Sequence, residues 1–215
     1  MSPTTALLGT AIWIGFIHTL FGPDHYVPFV AMARAGDWSC RKTLSVTLLC
    51  GLGHVAGSVA LGLIGIAIGA LVFNLETIES MRGEIAAWLL LGFGLAYFVY
   101  GVVRALRHAP HRHGLDDGAG KSTSLTPWIL FTIFLFGPCE PLIPILMYPA
   151  AHANALAVVL VTVAFGVATL VTMMATVGLL YAGVGVISWQ QLHRFSHAAA
   201  GLAIALCGVA VKFGL

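Results

Sequence analysis

The sequence predicts an all-α polytopic membrane protein: six transmembrane helices forming two inverted three-helix repeats, with helices 1 and 4 broken at Gly-Pro. Three observations predict it. Hydrophobic residues make up 59% of the 215-residue chain and charged residues 8%, against about 45–50% and about 25% in soluble domains; mean hydropathy is +0.96. Six apolar runs reach the length of about 20 residues that crosses a bilayer. The tetrapeptide Leu-Phe-Gly-Pro occurs twice, at 20–23 and at 135–138.

The six spans are read as Ala6–Ala33, Thr43–Phe73, Ile85–Arg107, Thr126–Ala151, Ala155–Ile187 and Phe195–Phe213. No Lys or Arg precedes the first run, so it lacks the basic n-region of a cleaved signal peptide and reads as a membrane segment. Residues 1–107 form the first repeat, 108–125 a polar, histidine-containing cytoplasmic linker, and 126–215 the second repeat. Lys and Arg placement sets the orientation. Arg34, Arg41, Lys42, Arg104, Arg107, Arg112, Lys121 and Arg194 fall on one side, and Arg82 and Lys212 on the other. Both termini are therefore expected outside. The net charge of +2 is too small to argue for nucleic acid. Cys40, Cys50, Cys139 and Cys207 form no C-x-x-C pair, so no disulfide framework is expected.

Each Leu-Phe-Gly-Pro copy opens a three-span half. Three is odd, so the second half enters from the opposite side, as in inverted-repeat transporters whose site lies between the halves. Proline inside a span removes an amide hydrogen and clashes with the preceding turn. The freed backbone groups are tolerated only when buried in protein or lining a wet cavity. Both breaks fall near span centres and are expected to meet at the midplane.

Polar residues gather at those breaks: His18, Asp24 and His25 at the first, Cys139 and Glu140 at the second. An ionisable group at the bilayer centre costs about 2.5–3.5 kcal/mol on insertion scales. A shared cation would neutralise the carboxylates and use imidazole and thiolate as ligands. The plainer alternative is that Asp24 and His25 cap the half-helix after the break. His54, between Gly53 and Gly57 on a small-xxx-small face, is a further candidate ligand or an interhelical hydrogen-bonding group. His108, His111 and His113 read as a solvated linker, and His193 with His197 as an interfacial helix end. Met147, Thr169, Thr172 and Met173 read as packing.

With His18 before Gly22-Pro23-Asp24-His25, the first half resembles the nickel/cobalt transporter superfamily and its urease-accessory-like transmembrane relatives. Those families carry a His followed by an Asp-His pair on an early span. Their pattern has four residues between the first His and the Asp; here Thr19–Pro23 make five. The resemblance implies that His18, Asp24 and His25 bind and move metal in a bacterial or archaeal inner membrane. Gly137-Pro138-Cys139 is similar to the Gly/Ser-Pro-Cys motif of the cytochrome c biogenesis thiol-relay family, also built from inverted three-helix repeats. That relay needs a cysteine in each repeat, and Asp24 stands at the partner position. Sulfite and organic-anion exporters share this shape, but Asp, His, Cys and Glu together argue against an anion site.

The expected function is transport, not enzymatic catalysis. The substrate would be a divalent transition-metal ion, nickel or cobalt before zinc, iron or copper, moved by alternating access at His18, Asp24, His25, His54, Cys139 and Glu140. No organic cofactor is expected. The partners are the ion and the lipid bilayer, with homo-oligomerisation left open. The alternatives are a thiol-disulfide electron carrier and a metal-binding accessory protein without transport.

Overall fold

A computed structural model describes residues 3–68, 72–107, 126–137, 139, 141–152, 154–186 and 193–214. Its helices are α1 (Pro3–Phe21), α2 (Val27–Ala35), α3 (Cys40–Ala67), α4 (Val72–Arg107), α5 (Thr126–Phe136), α6 (Leu142–Ala151), α7 (Ala155–Val186) and α8 (Ser196–Lys212). There is no strand among the described residues. Four helices are long and apolar enough to cross a membrane, within α1, α3, α4 and α7. Their outer faces are apolar as well: Trp13, Phe21, Leu106 and Leu179 stand more than half exposed. An apolar exterior of this kind fits an integral membrane protein.

Helix breaks fall at both Leu-Phe-Gly-Pro sites. At the first, Gly22 is extended (φ −82°, ψ 98°) and Pro23–His25 form one 3-10 turn before α2. Gly22 N still donates to His18 O at 3.0 Å and His25 N to Gly22 O at 3.1 Å, so most of the local backbone stays satisfied. Pro28 lies in the first turn of α2, where no amide hydrogen is required. Ser39 caps α3 by accepting from Lys42 N at 3.3 Å. At the second break α5 ends at Phe136 and α6 begins at Leu142.

The two halves of each broken segment belong to different cores. One core joins Phe29 and Met32 of α2 to Leu130 and Phe134 of α5, and to Ile204 of α8. The other joins Ala11 of α1 to Leu142 and Leu146 of α6, and to Phe165 of α7.

The largest helix interface is the antiparallel pair α4–α8. Gly94 and Gly101 on α4 face Ala205 and Ala198, while Gly201 and Gly208 on α8 face Phe98 and Leu91. A methyl group at Gly201 would run into Phe98 N, and one at Gly101 into Ala198 N. Backbone therefore touches backbone along this seam, which only glycine allows. Near one end of the seam, Tyr97 Oη lies 2.7 Å from His197 Nδ1 and Arg104 Nη1 lies 2.9 Å from His197 Nε2. His197 thus ties α8 to α4.

The boundary between the second and third spans differs from the expectation at both edges: the second span was expected to run to Phe73, but α3 ends at Ala67. The third span was expected from Ile85, but α4 begins at Val72 and carries Glu76, Glu79, Ser80, Arg82 and Glu84 in helix. Internal pairing explains it. Arg82 Nη1 donates to Glu79 Oε1 at 2.7 Å and to Ser58 Oγ at 3.3 Å, and Nη2 donates to Leu135 O at 2.9 Å. The guanidinium thereby satisfies a carbonyl in the last turn of α5, where a positive charge suits the helix dipole. The linker 108–125, with His108, His111 and His113, lies outside the described residues.

Candidate metal centre

Each histidine at the centre is delivered by a different local device. His18 occupies the last turn of α1. The proline break turns the chain back, so His25, seven residues on, packs its ring edge-on to His18 with centroids 4.9 Å apart. On an unbroken helix that spacing would be about 10 Å. His54, midway along α3, meets the other side of His25 at 5.0 Å, again edge-on. Cys139 arrives from the connection between α5 and α6. Ligand atoms of His18, His54 and Cys139 all lie within 4.8 Å of one another.

Glycine makes room for this gathering at both breaks. A methyl group at Gly22 would lie 2.6 Å from His25 Nδ1 and 2.9 Å from Asp24 Oδ1. One at Gly137 would lie 2.8 Å from His54 Nδ1. Gly53 packs against the Phe131 ring, and Gly57 against Leu135 O and the Arg82 guanidinium. These contacts hold α3 close to α5.

The hydrogen-bond inventory assigns the tautomer of His25. Its Nδ1 faces two acceptors, Asp24 Oδ1 at 3.1 Å and Gly22 O at 3.2 Å. Nδ1 therefore carries the proton, leaving the Nε2 lone pair free. A carboxylate behind a histidine in this way fixes the ring and raises its basicity as a ligand. His25 Nε2, His18 Nε2 and both ring nitrogens of His54 are buried without a hydrogen-bond partner. Each unsatisfied buried polar atom costs about 1–3 kcal/mol, so four in one place call for an occupant that accepts lone pairs or donates protons.

A tetrahedral ion with metal–nitrogen bonds of about 2.0 Å and metal–sulfur bonds of about 2.3 Å sets its ligand atoms roughly 3.3–3.6 Å apart. The separations of up to 4.8 Å here would have to close by little more than an ångström. Rotation about side-chain torsions covers that distance without moving a helix. Two imidazoles and a thiol, with the His25 ring beside them, suit a borderline ion rather than magnesium or calcium.

Of the residues expected at the centre, His18, Asp24, His25, His54 and Cys139 are brought together, with Asp24 behind His25 rather than among the ligand atoms. Glu140 lies outside the described residues. All four cysteines are free thiols. Cys139 packs in the core of α1, α6 and α7, while Cys50 and Cys207 pack in the other core. Thr169, Thr172 and Met173 are buried. The Glu79–Arg82 pair went unforeseen. Its signal was an acid and a base three apart in a stretch of good helix formers. Comparison with protein-family models, curated proteins and solved structures returns no match for this chain.

Proposed function

We propose that the protein is a membrane transporter of a divalent transition-metal ion, nickel or cobalt before zinc, iron or copper. The observation that carries the reading is the convergence of ligand atoms of His18, His54 and Cys139 between two helix breaks, with the unpartnered imidazole of His25 packed against both histidine rings. Charge supports it too. Asp24 and a Cys139 thiolate together neutralise a divalent ion, leaving little net charge inside the bilayer. Helix breaks are where transporters of the inverted-repeat kind hold their cargo.

The six-span inverted repeat belongs to the same proposal. Exchanging the halves maps α1 onto α5, α2 onto α6, α3 onto α7 and α4 onto α8. Under that exchange the contact α1–α7 becomes α5–α3, α2–α8 becomes α6–α4, α2–α7 becomes α6–α3, and α2–α3 becomes α6–α7, and all of these occur; α4–α5 and α3–α4 have no comparable counterpart among the described residues. The pairs α3–α7 and α4–α8 map onto themselves and also occur. The cargo would pass from one side to the other as one repeat moves against its partner. Both termini lie outside in this arrangement, and no catalytic step is required. A thiol relay is the weaker reading, because Cys50 and Cys207 belong to a different core from Cys139.

The deciding experiment pairs equilibrium binding of Ni²⁺, Co²⁺ and Zn²⁺ to the purified protein with uptake into proteoliposomes. About one ion per chain is expected, with binding lost in His54→Ala and Cys139→Ala and uptake lost in Asp24→Ala/His25→Ala. The proposal fails if the protein binds no metal and the Asp24→Ala/His25→Ala variant moves metal like wild type. Binding without uptake would make it an accessory protein.

A further inference from the structure

A cavity of about 660 Å³ opens beside the histidines. His18, Asp24 and His25 line it on one side. Ser80 and Glu84 of α4 and Lys212 at the end of α8 line the other. It exists because α8 stops at Lys212 while α4 runs on past that level to Val72. Lys212 Nζ donates to Glu84 Oε1 at 2.6 Å and sits 4.6 Å over the Trp88 ring. His18 and His25 form part of the cavity wall, and the Nε2 of each lies buried behind that wall without a partner, within reach of a turn of the side chain.

The size of the cavity is informative. It far exceeds the roughly 10–15 Å³ that a single water needs, so it holds many waters. A bare ion needs a small fraction of that, whereas an ion with its first shell of about six waters fits easily. A divalent cation can therefore keep its water until it reaches the imidazoles. On the way it meets one carboxylate held by a lysine. The pair is partly exposed, with side chains 37% and 62% accessible for Lys212 and Glu84. Exposed pairs of this kind contribute little to stability. Ser80 stands one turn from Glu84 on α4, so its hydroxyl and the carboxylate lie on one face of the helix.

We propose that Glu84, with Ser80 beside it, is a recruitment site for a hydrated divalent cation, and that Lys212 is the resident counter-ion the cation displaces. The proposal rests on the metal-transport reading and deepens it by assigning the entry route. The lysine and arginine count puts this mouth outside, so entry runs inward from that face. Glu84 binds the ion through its water shell and passes it to His18 and His25, which strip the water. Lys212 then returns to the carboxylate and lowers the attraction for a second ion.

The test uses the purified full-length protein in detergent and Co²⁺ as the probe. The rate of appearance of the cobalt–thiolate absorption is followed by rapid mixing at low and high salt. Recruitment predicts opposite signs for the two halves of the pair. Glu84→Gln should slow loading about tenfold at low salt, within the range of electrostatic steering. Lys212→Met frees the carboxylate and should speed loading severalfold. Both differences should collapse in about 0.5 M salt, where screening falls to a few ångströms. A purely structural pair predicts the same direction for both variants. Equal effects, no effects, or effects that persist at high salt overturn this inference while leaving the transport reading standing, provided wild type loads. If wild-type protein takes up no Co²⁺, both fall together.

Discussion

Gly137→Ala would move a proposed ligand without removing it. The added methyl group would lie 2.8 Å from His54 Nδ1, 3.2 Å from His54 Cε1 and 3.1 Å from Phe134 O. Ordinary contact begins near 3.4 Å, so the imidazole must retreat by about 0.6 Å and the carbonyl by a few tenths. The ring can swing, because both its nitrogens lack partners. The fold should therefore survive, with a loss of stability of at most about 1–2 kcal/mol. Metal binding is less forgiving, since functional groups must be held to within about 0.5 Å. A displacement of this size should weaken affinity by about 10- to 100-fold, the range seen when a ligand's support is disturbed. The assay is competition for Co²⁺ against a chelator of known affinity, with thermal unfolding of the same sample. Gly92→Ala is the control, because nothing lies within 4 Å of a methyl group there. If Gly137→Ala binds as tightly as wild type while His54→Ala does not, the contact between glycine and ligand is irrelevant and the reasoning fails.

Other outcomes follow from the same geometry. Asp24→Ala should weaken metal binding by about 10- to 100-fold by releasing His25, while Asp24→Asn, which can still accept from Nδ1, should lose less; titration calorimetry separates the two. Metal binding should release protons, because imidazole and thiol must be deprotonated to ligate. Apparent affinity should therefore fall as pH is lowered, and Cys139→Ser should release about one proton fewer per ion, measured in buffers of different ionisation enthalpy. Gly201→Val places side-chain atoms on the Phe98 backbone and should destabilise the protein by about 3 kcal/mol or more. That would appear as a lowered midpoint of thermal unfolding, with Gly183→Val, which has open space around it, as the reference.

Much of this was legible in the chain because it is local. Composition declares the membrane, and a Gly-Pro pair breaks a helix wherever it falls. His25 and Asp24 could be named because they follow the break directly. The role of Asp24 behind His25 could not be read, since it depends on how the 3-10 turn orients two side chains. His54 is separated from the break by a full helix, and only packing decides whether it reaches His25. The early start of α4 was hidden by its polar content. Glu79 and Arg82 look like a loop until Ser58 and Leu135, both remote in sequence, are seen to accept from the guanidinium. The α4–α8 seam was written in plain view as Gly94, Gly101, Gly201 and Gly208. Glycine is frequent enough here, 25 in the chain, that spacing alone does not single out those four.

That seam also limits how the molecule can move. Its glycines recur every seventh residue on both helices, so a slide by one position would push a side chain into the opposing backbone. The next permitted register is about 10 Å away, farther than any cargo step requires. The pair behaves as a keyed shaft: free to tilt as a unit, barred from gliding. The alternating access proposed above would therefore have to pivot around α4 and α8, with the short, broken helices as its moving pieces.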